Sequence, residues 1–185
     1  MNETDLRSQL IEVGERLATA GLVRESEGNL SIRLSGSRCL MTTAGTNLGC
    51  LGLSELVEVA IEATEIPPGA TSEAQLHLEL YRNRPDIGAV VHAHPPRLLQ
   101  LDAEDKLPVW RRLEDRGKML GPVVAVPYHA EGTLALARST AGALTNAKAC
   151  VLREHGAVTV GPTLMAAFVR MLDIERASSL TESRG

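Results

Sequence analysis

Aromatic side chains are scarce: one Trp, one Phe and two Tyr amount to 2% of the 185 residues. The core must therefore be aliphatic, and too few rings are present to build a platform on which unpaired bases stack. A positive excess is missing as well, since 19 Lys and Arg stand against 23 Asp and Glu, a net charge of −4 with neutral histidines. That balance excludes general phosphate-backbone binding, and with it nucleic-acid partners, and an anionic small substrate needs a local positive source. Cysteine is sparse too. Cys39, Cys50 and Cys150 are odd in number, far apart and without a CxxC, which excludes a disulfide framework and reads as reduced, mostly buried thiols. No apolar run approaches the roughly 18 residues of a membrane span, and residues 1–5 lack the basic-then-apolar layout of a signal peptide. The expectation is a cytoplasmic protein with no membrane partner. No segment repeats at a fixed period.

What is present is ordinary globular material: 44% hydrophobic and 23% charged residues in a length that suits one domain, residues 1–185. Leu6, Leu10, Val13 and Leu17 recur at helical spacing before Gly21. Leu30, Ile32 and Leu34 alternate with Ser31 and Arg33, and Ser35-Gly36-Ser37 offers a turn before a second strand over 38–42. A glycine-rich loop over 44–52 precedes strand-like residues 56–60. Ser72 with Gln75 reads as a capping box for a helix that must end near Arg84, because Pro85 follows. Residues 87–91 form an apolar strand that runs into His92-Ala93-His94-Pro95-Pro96. The stretch 101–120 is charged and irregular, a partly helical connection. Strands over 123–126 and 149–152, helices over 132–144 and 163–179, and a continuation or hairpin partner over 157–160 complete the pattern. Hairpins among the strands favour an α/β fold with a mixed, largely antiparallel central sheet flanked by helices.

Three of the five histidines carry the strongest chemical signal. Side chains repeat every two residues along a strand, so His92 and His94 project to one face, and His155 sits in a turn after a later strand. Three imidazoles with an open fourth position suit a catalytic divalent metal. An HxH pair alone also fits hydrogen-bonded or surface histidines; the later Glu154-His155-Gly156 turn favours ligands. Glu73, in the first turn of its helix, is either a dipole-stabilising carboxylate or a general base tuned by nearby charge. Thr71-Ser72 at the helix start, Gly28-Asn29 before a strand, and Ala44-Gly45 in the glycine loop offer hydroxyls, an amide and backbone N–H groups. Such groups bind phosphate without basic side chains, and they also serve merely as caps and turns. His77, one turn after Glu73, reads as a packing residue, and His129 as a loop residue.

In order, Gly28-Asn29-Leu30-Ser31, Thr42-Thr43-Ala44-Gly45, Thr71-Ser72-Glu73, His92-Ala93-His94-Pro95 and Glu154-His155-Gly156 resemble the class II aldolase/adducin family, over about residues 5–175. The resemblance implies His92, His94 and His155 as ligands of zinc or another divalent metal such as cobalt or manganese. It also implies Glu73 as the catalytic acid/base, and a substrate phosphate held by Gly28, Asn29, Ala44, Gly45, Thr71 and Ser72. It further implies a homotetramer acting on a phosphorylated sugar. Glu at position 73 points to aldolase-type members, which cleave a phosphorylated ketose to dihydroxyacetone phosphate and an aldehyde. Epimerase, dehydratase and oxo-acid phosphate decarboxylase reactions on the same fold, and a non-catalytic adducin-like module, are the alternatives. Two departures stand out. Glu154 replaces the family's usual Asn, and Ala44 replaces a usual hydroxyl residue, a loss that Thr43 or Thr46 can offset. No tyrosine matches the family's proton donor to the aldehyde oxygen; Tyr128 matches a different position.

Overall fold

The hydrophobic stripe of the first seventeen helical residues becomes α1 (Glu3–Thr19), with Leu10, Val13 and Leu17 buried, in a computed structural model that describes residues 3–110 and 120–180. Gly21 follows with φ +70°, the left-handed conformation that closes helices. The chain then forms β1 (Asn29–Arg33), β2 (Arg38–Thr42) and β3 (Leu56–Ala60), followed by α2 (Ala74–Asn83), β4 (Ala89–Ala93) and α3 (Pro96–Ala103). Beyond these lie β5 (Val123–Val126), α4 (Leu134–Ala143), β6 (Ala149–Leu152), β7 (Gly156–Gly161) and α5 (Leu164–Ser179).

The seven strands form one sheet in the order β3-β2-β1-β4-β7-β6-β5. Only β5 and β6 run parallel, joined through α4; every other neighbouring pair is antiparallel. This is the mixed, largely antiparallel sheet that the hairpin spacing predicts. Both faces are covered. Leu30, Val91, Val151 and Ala157 pack with α1 and α5 in one apolar cluster, while Met41, Val90, Cys150 and Val158 pack with α2 and α4 in the other. Adjacent Val90 and Val91 fall in different clusters because strand side chains alternate between faces.

Two local expectations change, and two others become specific. The strand expected over 87–91 pairs over 89–93 instead, because Asn29 and Val158 lie opposite His92 on its two sides; His92 is therefore fixed by a strand on either flank. Residues 156–161 form a hairpin partner of β6 rather than its continuation. The irregular stretch after Leu101 begins as the last turn of α3, and residues 111–119 lie outside the described ones. The capping box at Ser72 is absent: the N-cap residue is Glu73, with φ −96°, ψ 18° and no side-chain cap. Its carboxylate turns inward, which leaves Ser72 exposed.

Candidate active site

His92 lies on the central strand β4, on the face of Val90 that looks toward α2, and is 1% exposed. Its Nδ1 donates to the Ala157 carbonyl at 3.0 Å, which leaves Nε2 facing inward and fixes the ring. His94 follows on the same face, its backbone N–H bound to the Leu22 carbonyl at 2.9 Å. His155 comes from the turn between β6 and β7. The three ring centroids lie 4.8 to 5.4 Å apart.

One nitrogen of each ring lies within 4.8 Å of the others, and among the described residues this is the one group of three or more His, Cys, Asp or Glu side chains close enough to share an ion. His92 Nε2 and His94 Nε2 are 3.1 Å apart, near the separation of about 3.3 Å expected for two nitrogens on one tetrahedral ion. Burial, reinforced by the neighbouring His92, pushes His94 down to about 3 and lowers His155 as well, so both present the neutral form that ligates metals. Burial lowers His92 too, but the adjacent Glu73 charge and hydrogen bond outweigh it and the net shift is upward. Glu73 Oε1 is buried without a hydrogen-bond partner and lies 3.7 Å from His155 Nε2. An orphaned carboxylate oxygen beside three imidazoles fits a divalent cation of the zinc, cobalt or manganese type.

Glu73 itself is 4% exposed. Its Oε2 accepts from Asn29 Nδ2 and meets His92 Nε2, each at 3.0 Å. Burial raises this carboxyl, and His92, Asn29 and His155 together more than reverse the effect, holding it well below the usual carboxylate range. Beside it opens a cavity of about 280 Å³, lined by Gly28, Asn29, Ala44, Gly45, Thr71 and Ser72 together with Glu73 and the three histidines. All ten residues singled out from the sequence thus converge on one cavity. Thr43 joins them, and its hydroxyl lies 2.7 Å from that of Thr46. Gly28 is required for space: at φ +73°, a Cβ there would stand 2.7 Å from the His92 carbonyl oxygen.

Other contributors carry no signal legible in the sequence. Glu27 and Glu131 stand at the cavity wall, 3.8 Å from His94 Nδ1 and 3.9 Å from His155 Nε2 respectively. Asp102, in the charged stretch after α3 begins, reaches under the His155 turn: its Oδ2 accepts the Glu154 N–H at 2.6 Å, and its Oδ1 pairs with Arg153 Nε at 2.5 Å. Gly156 lets the turn approach the rings, since a Cβ would meet the Ala93 oxygen at 2.6 Å and His94 Cδ2 at 2.7 Å. His77 is wholly buried and hydrogen-bonded, outside the triad. His129 is half-buried, its Nε2 2.9 Å from Ser139 Oγ.

Known proteins resemble this chain over nearly its whole length. Residues 8–181 match the family described as Class II Aldolase and Adducin N-terminal domain. The chain is 31% identical over 179 residues to an L-fuculose phosphate aldolase of Methanocaldococcus jannaschii, covering 95% of this chain and 94% of that one. It is 30% identical over 184 residues to a 3-oxo-tetronate 4-phosphate decarboxylase of Pectobacterium atrosepticum, covering 97% and 84% respectively. The crystal structure of L-fuculose-1-phosphate aldolase from Thermus thermophilus superposes with a TM-score of 0.85 at 32% identity, over 99% of this chain and 98% of that one. With fold, histidine cluster and full-length similarity in agreement, the chain belongs to the class II aldolase/adducin family and is an enzyme of the class II aldolase type.

Proposed function

We propose that this enzyme is a divalent-metal-dependent lyase that reversibly cleaves a phosphorylated ketose into dihydroxyacetone phosphate and an aldehyde, working as a cytoplasmic homotetramer. The observation that carries the reading is the buried Glu73 carboxylate, 3.0 Å from His92 and open to a cavity rimmed by Thr43, Gly45 and Ser72. A divalent ion held by His92, His94 and His155 supplies electrostatic stabilisation of negative charge developing on the sugar oxygens. The phosphate is held by neutral donors of the Gly28, Gly45 and Ser72 segments, which suits an anion in a protein without a basic excess. As the carbon–carbon bond breaks, its electron pair stays with the phosphorylated fragment. The hydroxyl on the departing carbon gives up its proton, which the Glu73 carboxylate takes up, and that oxygen becomes the carbonyl of the departing aldehyde. Glu73 then delivers a proton to the carbanionic carbon, giving dihydroxyacetone phosphate; in the reverse direction it removes that proton.

The decarboxylase-like relative supports a second reading with the same half-reaction. A 3-oxo-tetronate 4-phosphate that loses its carboxyl group as carbon dioxide leaves the same three-carbon carbanion, and Glu73 protonates it to the same product. Solvent-deuterium exchange into dihydroxyacetone phosphate tests the shared step: the zinc-loaded protein is expected to exchange one carbon-bound hydrogen, and no exchange rejects both readings. Product analysis with phosphorylated ketoses and with a 3-oxo-tetronate 4-phosphate then separates them, since carbon dioxide accompanies only the second.

A further inference from the structure

A line of buried polar side chains leads from Glu73 into the protein. Asn29 Nδ2 donates to Glu73 Oε2 at 3.0 Å, and Asn29 Oδ1 lies 2.6 Å from His77 Nε2. His77 Nδ1 lies 2.6 Å from Ser31 Oγ, which is 2.8 Å from the Tyr81 hydroxyl. Ser31 and His77 are 0% exposed and Tyr81 is 1% exposed, and none of the three lines the cavity. The placement follows from two periods. Asn29 and Ser31 share one face of β1, and His77 and Tyr81 lie one turn apart on α2 after Glu73.

Chemistry fixes the direction of every bond. An ionised carboxylate only accepts, so the Asn29 amide must present its NH2 to Glu73 and its oxygen to His77. That oxygen accepts, so His77 carries its proton on Nε2, and in the neutral ring Nδ1 is then bare. Ser31 must donate to Nδ1, which leaves its oxygen to accept from Tyr81. The far end is anchored, because the Arg33 guanidinium lies over the Tyr81 ring at 4.7 Å and donates to the Tyr81 carbonyl at 2.7 Å.

Resting on the reading of Glu73 as the acid/base, we infer that Tyr81, Ser31 and His77 are positioning residues. They form a one-way chain of donors that holds the Asn29 amide with its NH2 on the Glu73 carboxylate. A rotated amide would set two acceptor oxygens about 3 Å apart, a repulsion that the chain forbids. The base therefore keeps one oxygen occupied and one free for the proton it moves.

The test begins with the zinc-loaded wild-type protein carrying 15N-labelled histidine. The expected spectrum shows His77 protonated on Nε2 and bare on Nδ1; a proton on Nδ1 overturns the chain. The second arm follows deuterium exchange into dihydroxyacetone phosphate. His77→Gln, whose amide NH2 reaches toward Asn29, is expected to stay within about fivefold of wild type, while His77→Leu loses about a hundredfold in kcat with KM within about threefold and bound zinc unchanged. Exchange at the wild-type rate in His77→Leu overturns the inference. Should that variant fail to fold, Ser31→Ala removes only the donor to Nδ1 and is expected to lose about tenfold, with an unchanged rate as the contrary result. Loss of exchange in the wild type itself rejects the role of Glu73 instead, and the His77 tautomer still decides the chain.

Discussion

Asp102 Oδ2 accepts the backbone N–H of Glu154 at 2.6 Å, and Glu154 holds a left-handed conformation with φ 60°. The turn that delivers His155 is thus shaped from below by a carboxylate 52 residues away. Left-handed backbone costs an ordinary L-residue roughly 1–2 kcal/mol, and Asn far less. The family's usual Asn at this position therefore has a backbone reason, and its replacement by Glu leaves the turn strained. Glu154→Asn is expected to raise stability by about 1 kcal/mol, seen as a higher urea midpoint with an unchanged slope. A midpoint at or below wild type contradicts this.

Removing the support from the other side has the opposite effect. Asp102→Ala leaves the Glu154 N–H without its acceptor and leaves Arg153 paired with Asp105 alone, at 2.9 Å, and the loss of a charged acceptor for a backbone donor costs about 1–3 kcal/mol. His155 then loses the fixed turn beneath it. Zinc affinity, measured by competition with a chelating dye, is expected to fall about tenfold. Wild-type affinity in a destabilised Asp102→Ala protein separates the turn from the ligand set.

Gly156 makes the next prediction. A Cβ there would stand 3.2 Å from His92 Cε1 and closer still to His94 Cδ2, so Gly156→Ala must move rings that face a common point. The expected cost is about 1–3 kcal/mol, with zinc affinity at least about tenfold weaker. Gly36→Ala is the control, because a Cβ at Gly36 meets nothing within 4 Å. Equal behaviour of the two variants rejects the steric account.

The histidines, Glu73 and the cavity-lining residues 28–29, 44–45 and 71–72 are legible in the sequence because each sits where a strand, helix start or turn is locally coded, and their order in the chain matches a family. Their supports are legible only in three dimensions. Ser31 alternates with Leu30 and Ile32, and nothing local marks its role; with helices on both sheet faces it is wholly buried against His77 and Tyr81. Asp102 looks like one more charge in a charged stretch, since nothing local marks the distant turn it holds. Ser72 followed by Gln75 has the letters of a capping box, but the pull of His92 and Asn29 on Glu73 sets the helix start one residue later than the pattern suggests.

The thiols give a pH prediction. Burial pushes Cys39 and Cys150 up to about 12 from an ordinary value of 9.0, so the unfolded chain releases both protons before the folded one does. Their contribution to stability is complete below about pH 9 and is lost as the pH rises toward 12. Urea midpoints are expected to fall steeply above pH 9, and Cys39→Ala with Cys150→Ala flattens that fall. At pH 8 a thiol reagent is expected to label exposed Cys50 in the native protein and all three cysteines in urea. Rapid native labelling of Cys39 or Cys150 contradicts the burial account.

Glu73→Gln isolates the proton transfer from the architecture around it. Gln has the same length and keeps an amide oxygen to accept from Asn29 Nδ2, which donates to Glu73 at 3.0 Å in the native protein. It lacks a group that takes or gives a proton near neutral pH, and it removes the charge beside His92. With His92, His94 and His155 intact, bound zinc is expected to match wild type, and the urea midpoint is expected to shift little. Hydrogen exchange into dihydroxyacetone phosphate, by contrast, is expected to drop by about 10²- to 10⁴-fold, the range of a positioned general base. Because the exchange needs no aldehyde, a loss there localises the defect to the carbon proton and not to the leaving group. Full exchange by a zinc-replete Glu73→Gln protein assigns the proton to another group and leaves the carboxylate as a support for the histidines.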